Sequence, residues 1–479
     1  MEATQMRILV LESSTASAKA MIYDTSDGSF QVQTRPYTGN YEDVRIHRAD
    51  LVFEQTAALG RELAAGGKID IISLSSTWQN VFLADRQLNP VTPVQTWAYT
   101  DAAPVCKKLR QDPAFVRDFY HRTGCMVNAI YPAFKLLYLK DQGYRLQDYL
   151  IMEQGSYNCF RLTGERVVTQ CVASGMGLMN LYTRTFDPEI LALIGICEEQ
   201  LPLLVDSDVN YSLTSEGAAL LGLEPGIPVI PSSADGGLNQ VGVGAIADGV
   251  MTFSVGTSGA IRLTTQEPLV PEHPSTWCYR SPKAYLSGAA TNGCCNCIDW
   301  FRSKMFPSSM SYSEIEAQVH DRDTTPVFLP FLFGERCPGW NDEGMGSFHE
   351  IKPYHTVFDL YRAVQEGVLF NLYHCYTSLT ELNGVPRRIK FSGGILHSPE
   401  WTQMCADIFQ ADLEVDNVEH GSMMGAAVLA MEHLGVLKDV RDFVSPPVRI
   451  IHPNREKAGI YHEKYNRYLK CYLDNHPLS

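Results

Sequence analysis

A pattern that occurs twice, about half a chain apart, constrains the fold of this sequence more than any other feature. Residues 7–24 read RILVLESSTASAKAMIYD, an apolar run, a short hydroxyl-rich turn and a second apolar run. Residues 249–265 read GVMTFSVGTSGAIRLTT, on the same plan. Each predicts two strands joined by a Ser/Thr/Gly turn. A hairpin opening each half predicts two related α/β domains facing each other across a cleft. The 479 residues suit two or three domains with sizeable cores and exclude a single small fold.

Strands and helices alternate through both halves. Residues 69–75 (IDIISLS) and 227–231 (IPVIP) predict buried strands, and 133–141 (AFKLLYLKD) an amphipathic helix. Val357, Leu360, Tyr361, Val364, Val368, Leu372, Tyr376 and Leu379 recur at helical spacing until Asn383-Gly384 ends the run. The strand RIKFS (388–392) follows, then a glycine pair and a helix with Trp401, Met404, Cys405 and Ile408 on its apolar face. The fold class is α/β.

The net charge of -15, from 39 Lys+Arg against 54 Asp+Glu, carries no basic stripe, which disfavours nucleic acid and anionic membrane as partners. Residues 1–10 lack the apolar segment of a signal peptide or membrane span, so a cytoplasmic location is expected. The thirteen cysteines are scattered except Cys294, Cys295 and Cys297, whose spacing matches no zinc set, and reduced, packed thiols are expected.

In the first hairpin turn, Ser13, Ser14, Thr15 and Ser17 place hydroxyls and amides together, with Glu12 before them and Lys19 after. Such a turn can hold phosphate oxygens, with Lys19 supplying positive charge, or it is simply a polar turn with a solvated lysine. The second turn, Gly256-Thr257-Ser258-Gly259, has less bulk and allows closer approach. Neither fits GxxxxGK[ST], so a P-loop is not supported. Asp235 follows the 227–231 strand and opens a Gly-rich segment. It is either a helix N-cap or a carboxylate at a strand's carboxyl end, where it could take a hydroxyl proton and help hold magnesium. Gly393-Gly394 leaves room for a ring or phosphate on the backbone, and Ser398 with Pro399 predicts a helix start. Gly421-Ser422-Met423-Met424-Gly425-Ala426-Ala427 reads as a second small-residue turn, although helix packing explains Ala426 and Ala427 at least as well.

FSGGILHSPEWTQMCADIF (391–409), GTSGAIR (256–262), FLPFLFGERCPGWN (328–341) and HRTGCMVNAIYPAFKLLYLK (121–140) together resemble the FGGY carbohydrate kinases of the actin/hexokinase/Hsp70 superfamily, most of all their gluconate and xylulose kinase branch. The resemblance implies two RNase H-like domains flanking a deep cleft: residues 1–247 carrying sugar binding and the base, residues 248–479 binding nucleotide. It implies ATP and Mg2+ as cofactors and a small carbohydrate as partner, and leaves a homodimer open. Asp235 would be the base and, with Glu12, a metal ligand. Thr15, Lys19, Gly256, Thr257 and Ser258 fall where the family handles phosphates. Gly393, Gly394 and Ser398 fall at its adenosine pocket, and Gly293 on a neighbouring turn. Trp78, Gln79 and Tyr131 match positions lining the polyol site.

Several residues depart from the family pattern. The first turn has Glu12 for aspartate, Ser14 for glycine and Ala16 for threonine. Thr77-Trp78-Gln79-Asn80 replaces the common Q/M-H-G stretch, Tyr99 stands where a carboxylate is expected, and Thr169 replaces another aspartate. The expected activity is ATP-dependent phosphorylation of a primary hydroxyl of a small sugar, polyol or sugar acid, gluconate-like or xylulose-like, with Trp78 and Tyr99 narrowing the site so that a shorter or less hydroxylated substrate is at least as good as gluconate. The competing reading is a family member that binds sugar or nucleotide for regulation without turnover.

Overall fold

The protein is described by a computed structural model covering residues 5–319, 324–416 and 420–475. Both repeats fold as antiparallel hairpins: Arg7–Ser13 pairs with Ser17–Asp24, and Val250–Val255 with Gly259–Thr265. The correspondence extends past the hairpins. In each half the first strand also pairs in parallel with a later strand, Ile71–Ser76 or Arg388–Ser392. Each of these pairs in parallel with one more, Pro228–Ala234 or Leu413–Val415. Tyr211–Ser212 and Phe30–Pro36 complete a six-stranded sheet in the first half. Trp277–Ser281, Ala284–Thr291 and Arg449–Ile451 complete a seven-stranded sheet in the second.

Central strands are buried on both faces, so Ile71–Ser76 and Ala284–Thr291 have no exposed residue. Helix Ala49–Ala64 covers one face of the first sheet, burying Val52, Phe53, Ala57, Leu59 and Leu63. The 27-residue helix Val357–Asn383 covers strands Gly259–Thr265 and Ala284–Thr291. Its start is fixed by a capping box between Thr356 and Asp359, and it ends at Gly384, whose φ of +75° favours glycine.

Two helices join the halves. Asp235–Gly242 continues from strand Pro228–Ala234, and Gly421–His433 comes after strand Leu413–Val415. The second packs on strands Arg7–Ser13 and Ile71–Ser76 of the first sheet and against helix Asp235–Gly242. Their backbones touch: a Cβ on Gly425 would stand 1.9 Å from the Leu238 carbonyl oxygen, and one on Gly242 would stand 2.0 Å from that of Gly421. Ala426 and Ala427 are fully buried beside this contact, as their small size predicts.

All thirteen cysteines are free thiols. Among the described residues no helix is long and apolar enough to cross a membrane.

Candidate functional site

The carboxyl ends of the first sheet's central strands carry the acidic part of the site. Glu12 lies opposite Lys19 in the antiparallel register and beside Ser75 in the parallel one. Its buried carboxylate accordingly accepts from Lys19 Nζ at 2.7 Å and from Ser75 Oγ at 2.9 Å. Asp235 begins the next helix. The N-cap position belongs to Ala234, so Asp235 is a first-turn residue, which corrects the N-cap reading and leaves its carboxylate facing the cleft. Among the described residues its one hydrogen bond is from Gly236 N–H to Oδ1, 2.7 Å. Burial first, and then the charge of Glu12, push the Asp235 carboxyl up to about 6; the Gly236 amide, Arg262 and Lys19 pull it down.

Asp235 lines a cavity of about 150 Å³ together with Thr77, Trp78, Gln79, Trp97, Arg262, Trp277, Tyr279, Ala290 and Arg336, so both halves of the chain wall it. Trp277 and Tyr279 stack with ring centroids 4.3 Å apart, and Trp78 tilts against Tyr279 at 5.1 Å. Trp78 serves both as core and as wall. Its indole is clamped between Gly175 and Gly236, where added Cβ atoms would come within 2.6 and 2.4 Å of the ring, and its Nε1 donates to the Cys171 carbonyl at 2.8 Å.

Gln79 holds a left-handed backbone (φ +59°), unusual for a residue with a side chain. Two partners hold it there. Its Nε2 donates to the Tyr279 hydroxyl at 3.1 Å, and its carbonyl accepts from Lys135 Nζ at 2.7 Å. Lys135 is fully buried, and its ammonium also donates to the Thr96 carbonyl at 2.5 Å, tying the loops that carry Gln79 and Trp97 together. Burial pushes its pKa well down.

The small-residue turns of the second half converge elsewhere. Cys295 N–H, at the start of helix Cys295–Met305, donates to the Gly256 carbonyl at 2.9 Å. Gly393 (φ +113°) rests on the end of the neighbouring strand, where a Cβ would lie 2.3 Å from the Val255 carbonyl oxygen. Gly394 faces the Cys295 thiol, and Gly293 is pressed against the Pro330 carbonyl. Thr257 and Ser258 are exposed at the tip of their turn. Gly256, Gly393 and Gly394 are thus gathered at the ends of two adjacent strands, with Gly293 beyond the end of a third strand of the same sheet. Ser398 caps its helix by accepting from Trp401 N–H at 3.2 Å, with Pro399 as first helical residue.

Some residues singled out from the sequence lie off the cavity. Tyr131 is fully buried one layer behind it, its hydroxyl 2.7 Å from that of Tyr279. Tyr99 pairs with Tyr138 instead of lining the cavity, and Trp97 takes the wall position, donating from Nε1 to Thr15 Oγ1 at 3.0 Å. Thr169 is buried and donates to the Ser232 carbonyl at 2.8 Å, so it faces the core. Trp97, Arg262, Trp277, Tyr279, Ala290 and Arg336 are the wall residues that sequence reading did not single out. The usable signal was strand alternation: Arg262 lies opposite Gly288, itself opposite Trp277, so all three share one row of the second sheet.

Comparison with known proteins agrees with this architecture. The family models for the N-terminal and C-terminal domains of the FGGY family of carbohydrate kinases match residues 7–242 and 251–433. A gluconokinase from Bacillus licheniformis is 28% identical over 481 residues, spanning 95% of this chain and 93% of its own. The crystal structure of a gluconate kinase from Lactobacillus acidophilus matches with a TM-score of 0.93 at 27% identity, over 99% of both chains. A ligand-bound xylulose kinase from the same organism matches at 0.92 and 27%, over 98% of both. The expected two-domain, actin-like ATPase fold is therefore present, and the chain belongs to the FGGY family of carbohydrate kinases, a family of phosphotransferases.

Proposed function

We propose that the protein transfers the γ-phosphoryl group of ATP to a primary hydroxyl of a small sugar, polyol or sugar acid bound in the Trp78–Tyr279 cavity. The observation that carries this reading is the position of Asp235, the one carboxylate among the lining residues of a cavity walled by both halves. With its carboxyl titrating at about 6, Asp235 is mostly ionised at neutral pH yet basic enough to take a proton. The acceptor's O–H proton passes to an Asp235 oxygen while the hydroxyl oxygen forms the new O–P bond. The bond from the γ-phosphorus to the bridging oxygen breaks, and ADP leaves with that electron pair.

Trp78 and Gln79 bind and orient the acceptor, and the aromatic wall of Trp277 and Tyr279 keeps water from the reacting hydroxyl. Lys19, Thr15 and the Gly256–Ser258 turn receive phosphate oxygens, and Gly293, Gly393 and Gly394 leave the space an adenosine needs. Glu12 and Asp235 would hold Mg2+. They are hard oxygen donors whose mutual repulsion, visible in the raised Asp235 carboxyl, a cation relieves. When bound, the ion neutralises charge on the phosphates.

Residues 1–247 and 248–479 are read as the two moving halves, joined by a link with left-handed glycines at Gly244 and Gly249. The competing reading, binding without turnover, draws on Glu12, whose two oxygens are already engaged by Lys19 and Ser75. A coupled ADP-release screen across gluconate, pentuloses, tetruloses, glycerol and other polyols decides between them. Carbohydrate-dependent ADP release is expected; saturable binding with no release under any acceptor would establish the regulatory reading.

A further inference from the structure

The Trp97 side chain reaches both parts of the site. Its ring walls the acceptor cavity with Asp235, and its Nε1 donates to Thr15 Oγ1, in the first hairpin turn, at 3.0 Å. The backbone that carries it is fixed. Thr96 is buried, its carbonyl accepts from Lys135 Nζ at 2.5 Å, its N–H donates to the Arg45 carbonyl at 2.9 Å, and its Oγ1 donates to the Val44 carbonyl at 2.9 Å. The indole itself is 43% exposed, so protein packing leaves much of it uncovered, and an acceptor in the cavity would add the missing cover.

The hydroxyl hydrogens of Ser13, Ser14 and Ser17 in that turn are already committed. Thr56 Oγ1 donates to the Val52 carbonyl at 2.7 Å, so the Ser13 hydroxyl, 3.1 Å from Thr56 Oγ1, gives its hydrogen to Thr56. Ser14 Oγ donates to the Ser17 carbonyl at 2.7 Å, which leaves Ser17 Oγ, 3.1 Å from Ser14 Oγ, as the donor of that pair. Thr15 differs. Among the described residues its side chain has only the bond from Trp97. An indole N–H can only donate, so Thr15 Oγ1 accepts there and its own hydrogen is uncommitted. Accepting from Trp97 turns that hydrogen away from the indole.

We propose that Trp97 couples the two substrates: an acceptor packed on its ring holds the Nε1–Thr15 bond in place, and Thr15 then presents its hydrogen to a γ-phosphate oxygen. This rests on the kinase reading above, which puts the acceptor in the cavity and phosphate at Thr15. With the cavity empty the indole loses that support, the Thr15 hydroxyl rotates, and the γ-phosphate is held less firmly. Each substrate therefore tightens the other by the same factor, because a coupling free energy is reciprocal. Trp97 and Thr15 are thus positioning residues that make phosphoryl placement conditional on the carbohydrate. Transfer to water is disfavoured by the same device. In that side reaction a water oxygen forms the new O–P bond, its proton passes to Asp235, and ADP leaves with the electron pair of the broken bond.

The test uses the full-length protein, with calorimetry of a non-hydrolysable ATP analogue in the absence and presence of saturating gluconate or xylulose. The carbohydrate is expected to tighten the analogue by ~10-fold in the unmodified protein. Trp97→Phe keeps an aromatic ring and removes the N–H. It should bring that ratio below about 2 while carbohydrate affinity without nucleotide stays within about threefold, and the share of ADP released without carbohydrate should rise. Thr15→Val should abolish the ratio in the same way, and Thr15→Ser, which restores the hydroxyl, should retain it. A full ratio in Trp97→Phe overturns the proposal, whether or not carbohydrate affinity falls, and leaves Trp97 as plain wall. Equal analogue affinity with and without bound carbohydrate in the unmodified protein also overturns it, and carbohydrate-dependent ADP release would then leave the kinase reading standing. The expected pattern of ratios with no ADP release from any acceptor supports the coupling and overturns the kinase reading. Binding of neither carbohydrate overturns both.

Discussion

Lys19 Nζ stands 2.7 Å from Glu12 Oε1, and the two residues are directly opposite each other in the first hairpin. This pair adjusts the acidity of a third residue: on top of burial, which raises the Asp235 carboxyl most, Glu12 pushes it up and Lys19 pulls it down. Asp235 serves as a base only when ionised, so activity should rise with pH through about 6. Lys19→Met removes a downward influence and leaves Glu12 unscreened. The acid limb of the kcat/KM profile is expected to move modestly to higher pH, so that the loss of activity is greater at pH 6 than at pH 8. A variant that loses activity with its acid limb in place would show that Lys19 acts on phosphate alone.

Asp235→Asn keeps the side-chain shape and removes the proton acceptor. Turnover should drop by ~10² or more while nucleotide affinity, read by calorimetry, is retained. Stability should move the other way. The folded carboxyl titrates at about 6, above its ordinary value of 3.8, so ionised Asp235 disfavours the fold as pH rises through 6. The variant should therefore resist denaturant better than the unmodified protein at pH 8, with the difference gone by pH 4. Equal stability at both pH values would contradict the burial of this charge.

Gly236 contacts the face of Trp78, and a Cβ there would stand 2.4 Å from the ring. Gly236 is the second residue of its helix, so alanine suits the backbone and only the indole has to move. Gly236→Ala is expected to displace Trp78 toward the cavity and raise the carbohydrate KM by ~10-fold, leaving the ATP KM within about twofold. Steady-state kinetics with each substrate varied in turn checks this; equal increases in both KM values would point to general loosening of the cleft.

Features written in short-range patterns were legible from the sequence. The two hairpins, the helix ending at Asn383-Gly384 and the Ser398 cap each depend on residues close together in the chain. The cavity wall was less legible because it depends on register between distant strands. GTSGAIR was singled out for its turn, yet its final residue, Arg262, reaches the site only through pairing with Gly288 and, beyond it, Trp277. Tyr131 and Tyr279 are 148 residues apart, and the layering that sets one behind the other has no local signature. Thr169 and Tyr99 occupy positions that the family resemblance made suggestive, but a carboxylate's absence there is accommodated locally, by a bond to the Ser232 carbonyl and by packing on Tyr138.

Gly425→Ala pits two effects against each other. Helix propensity favours alanine by about 1 kcal/mol, whereas the new Cβ would lie 1.9 Å from the Leu238 carbonyl oxygen, a backbone atom that cannot turn aside. Overpacking of this kind costs about 1–3 kcal/mol and should win. The variant is expected to unfold at lower temperature in calorimetry, and an unchanged or higher transition would show that the two helices separate freely.

The same crossing fixes where leverage lies in this molecule. With backbone resting on backbone at Gly425, any rotation of one half against the other has its fulcrum there, and displacement grows with distance from it. Asp235 is three residues from Leu238, about 4.5 Å along the helix, and so scarcely travels. The Gly256 turn lies at the far end of a six-residue strand, about 20 Å beyond the link at Gly249, and swings on the long arm. On the proposed function, the base is then the anvil, and the phosphate donor is carried to it.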